Sequence, residues 1–155
     1  MLAVAINGKR LGYVFLIGHQ LKEWQTMTKP ATSPEEAAGA LQQLINQFRP
    51  DVVVTERLET SARTSSTVSK LKAALTRTAA QNYVLDVSVP RTHEYANKYE
   101  EAQSLASFFP AIQPWVPPKR RLFDHAPPRL TLFDALSLAA NVLKRPTQHL
   151  AAALG

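Results

Sequence analysis

The chain has 155 residues, 45% of them hydrophobic, enough for one domain with a real core, and no apolar run is long enough to span a bilayer. The absence of cysteine excludes disulfides, thiol catalysis and cysteine-bound zinc, and it suits a reducing, cytoplasmic compartment. The 18 Lys and Arg against 12 Asp and Glu give +6 at pH 7, which favours a polyanionic partner, most simply nucleic acid, over a merely cationic solubility surface.

Residues Leu2 to Ile6 form an unbroken apolar run, the pattern of a buried central strand rather than of a secretion leader. Asn7-Gly8 signals a hairpin turn, Leu11 to Ile17 a second strand, and Leu21 to Thr28 a third after Gly18-His19-Gln20. Pro30 to Pro34 breaks the sheet. Ser33-Pro34-Glu35-Glu36 then starts a helix, with Ser33 as cap, Pro34 at the first position and Glu36 closing a capping box. Ala37, Leu41, Leu44, Ile45 and Phe48 share one face of that helix, and Arg49-Pro50-Asp51 ends it. Val52-Val53-Val54 reads as a strand beside the first and parallel to it, because a helix joins the two.

Ser65 to Gln81 reads as a second helix with an apolar stripe of Val68, Leu71, Leu75 and Ala79. Tyr83 to Val89 is a strand, and Asn97 to Phe109 a helix with apolar Ala102, Leu105, Ala106 and Phe109. Pro110 to Pro128 reads as one long loop rich in proline and arginine. Leu130 to Leu143 is a helix apolar nearly all round, as expected of one lying on a sheet, and the segment beyond Pro146 reads as a fraying tail. The expected organisation is one α/β domain over residues 1–145 with a mixed sheet, and a C-terminal tail over 146–155.

Two acids stand where they are costly. Glu56 ends an apolar strand, the place where open α/β sheets put their ligand sites. Asp134 lies in the start of the apolar last helix. Taken singly, each has a plain explanation: Glu56 pairing with Arg57 or Arg10, and Asp134 favoured by the helix dipole. Taken together, convergent carboxylates bind hard divalent cations, which can activate water and stabilise the departing oxygen of a phosphodiester.

Leu2-Ala3-Val4-Ala5-Ile6 with Arg10-Leu11-Gly12-Tyr13, then Val52-Val53-Val54-Thr55-Glu56, then Phe133-Asp134-Ala135-Leu136-Ser137-Leu138-Ala139, resemble the RuvC-like branch of the ribonuclease H superfamily in order, spacing and context. Within it the chain is most similar to a small bacterial group, through a segment like Asn97-Lys98-Tyr99-Glu100 that continues through Ala106 to Phe109-Pro110. The resemblance implies a five-stranded mixed sheet in order 3-2-1-4-5 flanked by helices. It implies a Mg²⁺- or Mn²⁺-dependent, homodimeric endonuclease acting on four-way DNA junctions, with Glu56 and Asp134 as metal ligands. The family's aspartate on the first strand falls on Ala5, and its further ligand one turn before the helix aspartate falls on Thr131, for which Asp124 or His125 are the nearby substitutes. With Ala5 in place, metal binding and cleavage are expected to be weak or absent. Buried carboxylates without a metal are costly, so retention of Glu56 and Asp134 favours a recent or deliberate replacement over long decay.

Two basic segments accompany the acids. Arg57, Arg63, Lys70, Lys72 and Arg77 surround a hydroxyl-rich loop, Thr60 to Thr67, in which Ser65 and the helix start suit phosphate oxygens. Lys119, Arg120, Arg121 and Arg129 alternate with Trp115 and Phe123, and His93, Tyr95, Lys98 and Tyr99 extend that surface. His19 and His149 carry no role. The expectation is a nuclease for structured DNA, disarmed at Ala5. The alternatives are an inactive nucleic-acid-binding module of the same fold and an α/β domain with a protein partner.

Overall fold

Five strands form one sheet in the order β3-β2-β1-β4-β5. They are β1 (Leu2–Asn7), β2 (Arg10–Ile17), β3 (Gln20–Thr26), β4 (Val52–Glu56) and β5 (Leu85–Val89). β1, β2 and β3 pair antiparallel, while β4 joins β1 and β5 in parallel, so the sheet is mixed as expected. The structure is a computed structural model that describes residues 1–27, 32–58, 66–91, 95, 97–117 and 130–154.

The helices are α1 (Pro34–Phe48), α2 (Ser66–Ala80), α3 (Lys98–Phe108), α4 (Leu130–Lys144) and α5 (Pro146–Leu154). Local chemistry starts and stops them. Ser33 Oγ accepts the Glu36 N–H at 3.1 Å, and Pro34 occupies the first turn. The Glu36 carboxylate reaches back past the cap, accepting from the Thr32 N–H at 3.1 Å and its hydroxyl at 2.8 Å. Arg49 ends α1 in the left-handed region, at φ 46°, and donates its N–H to Ile45.

Period-two alternation splits the sheet residues between two cores. Leu2, Val4, Ile6, Leu11 and Tyr13 face α1 and α2. Ala3, Ala5, Val14, Leu16, Val54, Val87 and Val89 face α3, α4 and α5. The second core holds smaller side chains at its centre, and Gly12 is paired with Ala5 across β1 and β2. A Cβ on Gly12 would stand 2.6 Å from the backbone of Thr131. Glycine here lets the first turn of α4 lie directly on β2.

Four expectations need correction. The hairpin turn is Gly8-Lys9 rather than Asn7-Gly8, since Asn7 is still paired with Arg10 and only Gly8 has positive φ. A glycine at the first turn position meets that need, and Asn7 is freed for other use. Pro110–Trp115 is a 3₁₀ helix, not loop, and Ile112 is buried in it. Trp115 is held edge-on against Trp24 of β3, with ring centroids 5.1 Å apart, so its ring is engaged within the fold. The segment expected to fray is α5, which packs on β5 and buries His149. His149 therefore has a structural place: its Nε2 lies 3.3 Å from Asn141 Oδ1. Residues 116–117 continue the chain beyond the 3₁₀ helix, and the remainder of the expected loop lies outside the described residues.

Candidate nucleic-acid interface

Ala3, Ala5 and Asn7 share one side of β1, the side that α4 covers. Asn7 Nδ2 donates to Asp134 Oδ2 at 3.2 Å, which fixes Asp134 against the C-terminal end of β1. The β1–β4 pairing of Leu2 with Val53 and Ala3 with Val54, continued by two residues, sets Ala5 beside Glu56. Glu56 in turn pairs with Val89 of β5, and Arg91 follows two residues later. Strand register thus assembles Ala5, Asn7, Glu56 and Arg91 at one end of the sheet, where Asp134 bonds Asn7 and Arg91.

The acids are not bare. Asp134 is only 5% exposed and carries two cations: Arg91 bonds Oδ1, and Lys98 Nζ lies 3.5 Å from Oδ2. Glu56 pairs with Lys72 Nζ at 3.0 Å. Lys72 belongs to α2, one turn before Thr76, whose hydroxyl lies 3.5 Å from that of Thr55. That turn carries Lys72 past the end of β4, where it meets Glu56. Neither plain explanation from the sequence holds: the partner of Glu56 is Lys72 rather than Arg57 or Arg10, and Asp134 is an ion-paired buried acid. The ion pairs also remove the argument that retained acids imply a recent or deliberate Ala5. Paired carboxylates need no metal to be tolerated.

The other expected residues are distributed as follows. Arg10 is exposed at the start of β2, on the same edge as Asn7. Arg57 is exposed just after β4, its N–H donating to Val89 at 2.8 Å and its guanidinium to the Ser88 carbonyl at 3.4 Å. Lys70 is exposed on α2. Arg63, Ser65, Lys119, Arg120 and Arg121 lie outside the described residues, as do His93, Phe123, Asp124, His125 and Arg129. Arg91 was missed as a partner of the acids. A Pro90-Arg91 pair just past a parallel strand was the available signal.

A cleft of about 390 Å³ opens nearby between β5 and α5, lined by Arg57, Asp86, Ser88, Gln148 and His149 among others. Burial, with help from Arg57 and Arg145, lowers the His149 pKa below its usual value of 6.5.

The donor set bears on the expected Mg²⁺ or Mn²⁺. Ala5 offers a methyl group, both oxygens of Asp134 are engaged, and Glu56 is ion-paired. Among the described residues no three His, Cys, Asp or Glu side chains converge as metal ligands would. With alanine at position 5 the residues do not fit a divalent-ion centre.

Sheet order and helix placement define a five-stranded mixed α/β domain. Its fold is shared with solved resolvase structures. The chain is similar to Thermus thermophilus RuvC, at 18% identity and TM-score 0.60 over 95% of this chain and 98% of that one. It is similar to T. thermophilus RuvC in complex with Holliday junction substrate, at 17% and 0.61 over 99% and 94%. It is also similar to the Fowlpox virus resolvase in complex with substrate Holliday junction DNA, at 12% and 0.58 over 92% and 97%. At such identities the likeness is one of fold. No protein-family model and no curated protein matches the chain. No helix among the described residues is long and apolar enough to cross a membrane.

Proposed function

We propose that this chain binds branched DNA, with a four-way junction as the leading substrate, through the sheet edge that carries Glu56 and Asp134. The nuclease chemistry of that edge is disarmed at Ala5. The single observation that carries the reading is the meeting of Asp134, on the last long helix, with Asn7 at the end of β1 and Arg91 just past β5, in a fold similar to that of solved resolvases. The charge of +6 and the exposed Arg10, Arg57 and Lys70 around the edge support a polyanionic partner. A homodimer acting symmetrically on a junction belongs to the same proposal. So do a cytoplasmic location and a single domain, which α5 extends past residue 145 to Leu154.

An aspartate at position 5 would put a third carboxylate beside Glu56. That new carboxylate, together with Glu56 and Asp134, could then hold Mg²⁺ or Mn²⁺, whose contribution is to activate water and stabilise the departing oxygen. Residues of the chain would supply the rest: Asn7 orients Asp134, and Arg57 and Lys72 bring positive charge to the phosphate. The test is Ala5→Asp with Mg²⁺ on labelled duplex, flap and four-way substrates. The chain as it stands should leave all three intact, and the variant should cut the junction. No cutting by the variant would reduce the reading to an inactive binding module, a form that the cations on both acids favour.

A further inference from the structure

The geometry points to a metal-free phosphate clamp: Arg91 and Lys98 bind a DNA phosphodiester at the end of the sheet, beside the one acid, Asp134, that both of them touch. This inference rests on the DNA-binding reading above. It inverts the part played by Asp134, from ligand of an ion to anchor of a protein cation pair.

Charge supplies the first argument. Two cations, Arg91 and Lys98, meet the single carboxylate of Asp134, so these three groups together carry one positive charge. Ala5, 2% exposed, adds no carboxylate beside them. Depth supplies the second. Asp134 lies at the bottom, 5% exposed, while the Lys98 side chain is 41% exposed and the Arg91 side chain 23%. An approaching strand meets ammonium and guanidinium groups before it meets Asp134.

Hydrogen-bond capacity supplies the third. Arg91 has five N–H donors and Lys98 has three; binding to Asp134 leaves each with donors to spare. A guanidinium suits a phosphate in two-point geometry, and an ammonium adds a point charge. Lys98 also stands in the first turn of α3, where the helix end itself is positive. A lysine there is disfavoured unless an anion faces it. Asp134 meets that need in the free protein, and a phosphate would share it in the complex. Of the acids in the same turn, Glu100 lies about 200° round the helix from Lys98, and the buried Glu101 lies one turn on, about 60° round.

The test is fluorescence anisotropy with a labelled four-way DNA junction across a KCl series, with EDTA and separately with Mg²⁺. Affinity in EDTA should be at least as high as in Mg²⁺. Lys98→Gln should weaken binding about tenfold and lower the salt slope by about 1. Asp134→Asn should tighten binding severalfold, because it frees both cations for the phosphate; an acid-held metal predicts the opposite sign. Melting curves check that the variant folds, and if it does not, Lys98→Gln alone decides. Binding that requires Mg²⁺, or that weakens in folded Asp134→Asn, overturns the clamp. Unchanged binding in Lys98→Gln does so too, while leaving DNA binding intact. No binding by any variant at low salt overturns the DNA reading itself.

Discussion

The two faces of the sheet are both apolar, and the chain uses them differently. Under α1 and α2 the strands present Leu2, Val4, Ile6, Leu11 and Tyr13, and the helices answer with Leu41, Leu44, Leu71 and Leu75. Large side chains keep those helices at an ordinary distance. Under α4 the centre of the sheet is Ala3, Ala5 and Gly12, and the helix backbone comes down onto it. Closeness has a chemical use: it brings a buried acid within reach of Asn7. One face is a packing layer and the other is packing plus a site.

The largest effect that would sharpen this contrast is Gly12→Val. Its branched side chain has no room against Thr131 and Leu132, so stability should fall by at least about 3 kcal/mol in denaturant unfolding. Junction affinity should fall with it, because α4 must move. Leu41→Ala on the other face should cost a comparable amount, about 3 kcal/mol, from the cavity it leaves. The fraction that folds should bind DNA normally; lost affinity there would show that the two faces are not separable.

Arg91→Ala should cost about 2 kcal/mol. It takes the main partner from a buried acid, and Lys98 with Asn7 limits the damage. Asp134→Asn should cost less, about 1 kcal/mol, since the cations it releases reach water. A reversed order would mean that the acid, not its partner, holds the helix.

The smallest effect is on pH. The folded His149 pKa is lowered, so between that value and the unfolded 6.5 the unfolded chain binds more protons. Stability should therefore be full above pH 6.5 and decline as pH falls below it. His149→Gln should flatten the acid side of a melting-temperature profile. Asp86, Arg57, Arg145 and Gln148 surround the imidazole or its cleft.

The sheet was readable from the sequence because its signals are local. Apolar runs gave the strands, the turn at Gly8 gave the hairpin, and Ser33-Pro34 gave the start of α1. The parallel pairing of β1 with β4 followed from the helix that joins them, and the full strand order from the resemblance alone. Glu56 and Asp134 could be singled out because an acid inside an apolar pattern is conspicuous. Their partners could not, since Arg91 is 43 residues and Asn7 is 127 residues from Asp134. Periodicity carries no information about pairs so far apart. Two residues did hold a clue: Lys98 sits where a helix start disfavours positive charge, and His149 sits in the apolar tail Leu150-Ala151-Ala152-Ala153.

The 127-residue span between Asn7 and Asp134 has a consequence for synthesis. The first hairpin is made well before α4, and the surface that α4 covers stays open until α4 has emerged. Contacts of such long range close slowly, and an uncovered sheet is prone to associate while it waits. Shortening the chain before Leu130 should therefore yield an insoluble product rather than a smaller domain.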